Sequence, residues 1–334
     1  MKREKKFSLI LALHLSLFVS MMTIGQFAGA TATEPSPVAT PNLNRSEAKI
    51  GDYSISIFPS EVQAGGVAVV RATSRQALKQ TDLISVSFES VEFELFKYKP
   101  AKGSIKLGGF LGVPLSQKPG EMEIKVCVST TTQSATKPCE TLTITVKERP
   151  TASQSETLDA EEKAVTPVDP QLLEKMLAEE EEINQLYETE SKPLYPNGTF
   201  SEPVKFRKTS PFGIGRVYTT NARRRTHWGI DYAAPSGTPV ESSQIGKVVY
   251  VGNLYFSGKT VILDHGFGIF TLYAHLNTNK IRRGIVVDKG QIVGHSGKTG
   301  KATGALLHWQ AILHRVKVDP FELVRASEQL FLDK

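Results

Sequence analysis

Cysteine is scarce in this chain: there are two in 334 residues, Cys127 and Cys139. They form no C-x-x-C pair and have no histidine nearby, which argues against a thiolate zinc finger or a thiol redox motif. Both fall in a segment that reads as a hairpin, so a structural disulfide between Cys127 and Cys139 is the better reading. Long apolar runs are also missing after the first 24 residues. No later stretch approaches the roughly 18 apolar residues that a membrane-spanning helix requires. Excess charge is small as well. The whole chain carries 40 Lys and Arg against 34 Asp and Glu. Setting aside the four basic and one acidic residue of the first thirty leaves a net charge of +3, too little to point to nucleic acid. Histidine is absent from residue 15 to residue 226.

What is present begins with a leader. Lys2, Arg3, Lys5 and Lys6 precede an apolar run from Phe7 to about Ile24, which ends at the small residues Ala28-Gly29-Ala30. This is the pattern of a secretory signal over residues 1–30, and an uncleaved signal anchor is the alternative. An exported protein, periplasmic or secreted, is expected, with no stable membrane span after signal cleavage. No cysteine follows the run to take a lipid. Residues 31–49 are rich in Thr, Ala, Pro and Asn and read as a flexible tether.

Residues 50–147 alternate apolar and polar side chains in short runs: Tyr53 to Ile57, Val67 to Val70, Val86 to Val91, Ile124 to Val126 and Leu142 to Val146. Period two, interrupted at Ala64-Gly65-Gly66 and Pro119-Gly120, predicts an antiparallel β-sandwich. Residues 148–203 are an acidic linker in which Asp169-Pro170 starts a helix over about 170–190. Asp is a good N-cap, and Pro suits the first helical position. Leu172, Leu173, Met176, Leu177, Ile183, Leu186 and Tyr187 then recur at helical spacing. Short strands return over residues 204–324, and residues 325–334 read as a C-terminal tail. The fold class is all-β: two β units joined by one linker helix.

Six histidines, His227, His265, His275, His295, His308 and His314, fall in the last unit. In Arg225-Thr226-His227-Trp228-Gly229-Ile230-Asp231 an imidazole and a carboxylate stand four residues apart with a glycine between them, so a bent strand can aim both at one point. His308, in an alternating strand, can supply a third ligand. Two imidazoles and one carboxylate around zinc leave a position open for water, the arrangement of a catalytic zinc.

The run from Arg225 through Asp231 to Val240 resembles the first metal motif of the lysostaphin-like (LytM-type) zinc metallopeptidases. Leu272 to Leu276, Gly294 to Gly300, Thr303-Gly304, His308-Trp309-Gln310 and Val318-Asp319-Pro320 resemble the family's later motifs, in order. Phe110 to Leu115, followed by Lys118-Pro119-Gly120, resembles the immunoglobulin-like domain that precedes such peptidase domains. The resemblance implies one Zn2+ ion on His227, Asp231 and His308, with His275 as a catalytic residue. It also implies a peptidoglycan endopeptidase that acts on the peptide part of the bacterial cell wall. The sequence departs from the family mildly at Gln310, where a glutamate is common, and plainly at one other position: where the family has a catalytic histidine two residues before the last ligand, this chain has Leu306. Leucine moves no proton, so activity is expected to be impaired unless His275 serves both steps. The alternative is an inactive peptidoglycan-binding module or an activator of a partner cell-wall hydrolase.

Overall fold

The computed structural model describes residues 44–78, 82–129, 137–158, 169–189, 191, 198–218 and 224–332. The leader and most of the tether lie outside the described residues. All described residues belong to one compact unit, Asn42–Lys334. Among them no helix is long and apolar enough to cross a membrane.

The N-terminal β unit consists of two five-stranded sheets packed face to face. One contains Ser46–Ile50, Tyr53–Phe58, Val67–Ser74, Lys106–Gly112 and Phe96–Tyr98 in that spatial order. The other contains Glu61–Gln63, Cys139–Lys147, Gly120–Ser129, Leu83–Phe88 and Val91–Glu94. Alternation along each strand buries one face. Ile55, Ile57, Ala68 and Val70 of the first sheet meet Ile84, Val86, Ile124, Val126 and Ile144 of the second in one apolar layer. Cys127 stands opposite Cys139 across neighbouring antiparallel strands, and the two form a disulfide. The run Val86 to Val91 is not one strand. It folds back at Glu89-Ser90, with Phe88 paired to Val91 and Glu89 in the left-handed region at φ 47°.

The linker contributes a short strand, Ser155–Leu158, and a helix, Pro170–Glu188. The helix is capped by Asp169, whose side chain accepts from the amide of Gln171. Its buried residue is Tyr187, which packs edge-on against Phe270 with ring centroids 5.3 Å apart.

The C-terminal unit is built on a ten-stranded sheet. Its centre is Ile230–Tyr232, Leu307–Leu313, Ile269–Thr278, Gly258–Asp264 and Gly246–Leu254, each antiparallel to the next. Of residues 325–334, expected to form a tail, the described ones up to Phe331 are helical instead. Pro320–Phe331 is a helix, with Asp319 as its N-cap. Leu323, Ala326, Leu330 and Phe331 are buried because their period-3.6 stripe faces the sandwich. Arg71 donates to the carbonyl of Gln329, and Arg149 bridges the carbonyl of Ala64 and the carboxylate of Asp319. One apolar cluster runs from Phe58, Val69 and Phe110 of the sandwich to Leu323, Leu330 and Trp309 of the C-terminal unit. The two β units are therefore packed through a continuous core.

Candidate metal centre

The site begins with a strand pairing. Ile230–Tyr232 lies antiparallel to Leu307–Leu313, with Asp231 directly opposite His308. Gly229 makes the approach possible: a Cβ there would lie 2.4 Å from the carbonyl oxygen of Trp309 and 2.7 Å from Cε1 of His308. The tight bend brings His227, four residues before Asp231, over the same point.

His227 Nε2 lies 3.1 Å from Asp231 Oδ1 and 3.0 Å from His308 Nδ1, and His308 Nδ1 lies 2.6 Å from Asp231 Oδ1. All three side chains are buried. The ring orientations are set from outside. His227 Nδ1 donates to the carbonyl of Pro211 at 2.8 Å, which leaves the lone pair of Nε2 facing inward. The Gln310 amide nitrogen sits 2.8 Å from His308 Nε2, on the side away from His227 and Asp231. Asp231 Oδ2 accepts a short bond from Arg216, so Oδ1 is the oxygen that faces the two imidazoles.

Burial alone would raise the Asp231 pKa. The facing imidazoles of His227 and His308 outweigh it and hold the carboxyl well below the usual range. Burial pushes His308 down to about 4 against the pull of Asp231, so its imidazole is neutral near pH 7. Two lone-pair nitrogens and a carboxylate oxygen within 4.8 Å of one another, shielded from water, repel unless a cation or shared protons lie between them. Tetrahedral zinc bonds of about 2.0–2.1 Å separate adjacent donors by about 3.3 Å, close to the spacing here. The donor set therefore fits Zn2+.

His275 adjoins the trio. Its backbone is left-handed at φ 59°, at an irregularity between Gly258–Asp264 and Ile269–Thr278, and its amide donates to Ser257. Its ring centroid is 6.0 Å from that of His308. Nδ1 donates to the Thr299 carbonyl at 2.8 Å, which leaves Nε2 as the proton-accepting nitrogen. Burial lowers its pKa, partly offset by that carbonyl. Leu306 is half-buried two positions before His308, and its amide donates to Gly297 at 3.0 Å.

The other histidines do not join the trio. His265 spends Nδ1 on the Ile245 carbonyl and Nε2 on Thr271 Oγ1, both at 2.8 Å. His295 contacts Thr278 at 3.0 Å, and His314 stacks on Phe93 of the sandwich at 4.0 Å. Trp309 is fully buried in the core.

Four residues that support the site, Gln310, Arg216, Ser210 and Glu156, were not readable as such from spacing. Only Gln310 left a signal, because alternation puts 308 and 310 on one face of the strand. From Gln310 and Leu272 a groove of about 600 Å³ runs between the sheet and the linker helix. Leu173, Leu177 and Ile183 line its helix side, and Arg225, Trp228 and Phe256 its rim.

The sequence profile of Peptidase family M23 matches residues 225–320. The chain is 37% identical over 143 residues to the DD-carboxypeptidase/endopeptidase Mpg of Neisseria meningitidis, covering 42% of this chain and 33% of that protein. It is 38% identical over 109 residues to the peptidoglycan DD-endopeptidase ShyA of Vibrio cholerae, covering 33% of this chain and 25% of that one. The match thus spans a quarter to a third of the length of these curated relatives. A crystal structure assigned to peptidase M23 from Pseudomonas aeruginosa superposes with a TM-score of 0.58 at 27% identity, covering 79% of this chain and 95% of the other.

Proposed function

From the premise that the chain belongs to peptidase family M23 through residues 225–320, we propose that it is an exported zinc-dependent endopeptidase acting on the peptide part of bacterial peptidoglycan. The observation that carries this reading is the convergence of His227 Nε2, Asp231 Oδ1 and His308 Nδ1 on one point beside His275. The secretory pattern of residues 1–30 supports export, and the named activities of the relatives support the substrate class.

His227, Asp231 and His308 would hold the zinc. Bound there, the ion supplies Lewis acidity toward a scissile carbonyl and lowers the pKa of water. Each residue of the chain has a separate task. His275, with Nδ1 tied to Thr299, offers Nε2 to accept a proton and return it to the leaving amine. Its lowered pKa keeps that nitrogen unprotonated near neutrality. Gln310 fixes the ring of His308 so that Nδ1 points inward. The groove beside Gln310 and Leu272 seats an extended peptide, with the linker helix as one wall. Leu306 can take no proton, so His275 serves both transfer steps and turnover is slow.

A second reading, a peptidoglycan-binding module or activator of a partner hydrolase that does not cut, is favoured by Leu306. Purified chain with equimolar zinc, incubated with peptidoglycan sacculi, separates the two. Release of new free amines, abolished by a chelator and increased by Leu306→His, is the expected result. Stoichiometric zinc with no amine release in either form would sink the enzyme reading.

A further inference from the structure

The linker strand Ser155–Leu158 runs parallel to Gly215–Tyr218, and its register sets Glu156 opposite Arg216. A single carboxylate oxygen, Glu156 Oε1, accepts from Arg216 Nε and from Ser210 Oγ, both at 2.8 Å. Each of those groups goes on to touch a different member of the candidate ligand trio. Arg216 donates to Asp231 Oδ2 and also reaches Ser210 Oγ at 3.2 Å. Ser210 Oγ lies 3.2 Å from His227 Nδ1. Side-chain exposure falls inward along the chain, from 25% at Glu156 through 18% at Arg216 to 7% at Asp231. Glu156, Ser210 and Arg216 all lie outside the matched segment 225–320.

We propose that Glu156 is a positioning residue of the metal centre, through which the linker completes the surroundings of the zinc. This rests on the reading of His227, Asp231 and His308 as ligands. The physical argument has two parts. Arg216 restrains Asp231 by one oxygen, so that the other is presented to the ion, but a guanidinium this close to a dication opposes binding. The negative charge of Glu156 offsets that repulsion while its geometry keeps Arg216 on Asp231 Oδ2. Ser210, held by the same oxygen, backs the His227 ring on the side where it donates to Pro211. An ion pair at the rim of a sheet would ordinarily contribute little. Here both bonds of Glu156 end on groups that touch metal ligands.

The test is the zinc affinity of the full chain, measured by chelator competition, together with the visible spectrum of the cobalt-substituted protein. Glu156→Gln keeps the shape and loses the charge. It is expected to weaken zinc binding about tenfold, and Glu156→Ala by up to about a hundredfold, the range typical of outer-shell partners. The cobalt bands should shift in both. Thr157→Ala, an exposed change on the same strand, should leave affinity and spectrum as they were, and the metal-free melting temperature of Glu156→Gln should match the wild type. Ser210→Ala is a second arm should the Glu156 variants misfold. It removes one of the two branches and should weaken zinc binding to a smaller extent. Unchanged affinity and spectrum in the Glu156 variants, or in Ser210→Ala alone, would overturn the proposal, as would an equal loss in Thr157→Ala. A wild-type chain that binds no zinc would instead overturn the ligand assignment itself.

Discussion

Two groups of buried histidines share the C-terminal unit, and the contrast between them shows what sets a candidate ligand apart. His308 and His265 are alike in burial, and burial lowers the pKa of each to about 4. They differ in where their nitrogens point. His265 has both nitrogens closed off, by a carbonyl and a hydroxyl, and His314 lies flat on Phe93. His308 turns Nδ1 toward a carboxylate and a second imidazole. Burial is therefore common to both groups, and convergence of lone pairs separates them.

The sharpest way to break that contrast is to remove one histidine from each group. His308→Ala should abolish stoichiometric zinc in elemental analysis after gel filtration, whereas His314→Ala should retain it. Equal loss from both would mean that the fold rather than the trio holds the metal. The next largest effect is on rate. Leu306→His should raise amine release from sacculi by about a hundred- to ten-thousand-fold, the range of one general acid-base group. No gain would assign the slow step elsewhere. Gln310→Leu should weaken zinc binding by about ten- to a hundredfold, and Gln310→Glu, whose carboxylate keeps a polar partner at His308 Nε2, should preserve it. Calorimetric titration distinguishes the two.

Smaller effects are expected on the structural side. His314→Ala should cost about 1–2 kcal/mol in denaturant unfolding, since it deletes a stacked ring at the junction of the two β units. The same residues set the acid limit of stability. Burial holds His265 at about 4 and His314 at about 3, against an ordinary 6.5, with Arg315 adding to the shift at His314. The unfolded chain thus binds more protons than the folded one between these values. Stability should be full above about pH 6.5 and fall as the pH drops toward 4 and then 3. His314→Phe should reduce that loss in melts across pH 3–7, and an unchanged slope would point to other groups.

Much of the site was legible because its chemistry is local. The four-residue step from His227 to Asp231 with Gly229 between them, and the alternation that puts 308 and 310 on one face, are short-range patterns that covalent geometry fixes. The five alternating runs of the sandwich were legible for the same reason, but not the edge strand Ser46–Ile50, which starts inside the segment read as a tether and is ordered by pairing with Tyr53–Phe58, nor the fold-back at Glu89, where an ordinary residue takes a left-handed turn without glycine to signal it. The Glu156, Ser210 and Arg216 network carried no such signal, because it depends on a parallel pairing between segments far apart in sequence. The helix Pro320–Phe331 likewise looked like a chain end until the sandwich supplied a surface for its apolar stripe.

By itself, then, the sequence determined an all-β chain whose candidate ligands are His227, Asp231 and His308, with Leu306 where a proton carrier was expected. Tertiary structure alone decided that Asp231 faces His308, that Arg216 and Glu156 stand behind the carboxylate, and that both nitrogens of His265 are closed off while His314 lies against Phe93. Periodicity and turn chemistry act over a few residues, whereas the direction of a lone pair is fixed by strand register and by partners brought in from elsewhere in the chain.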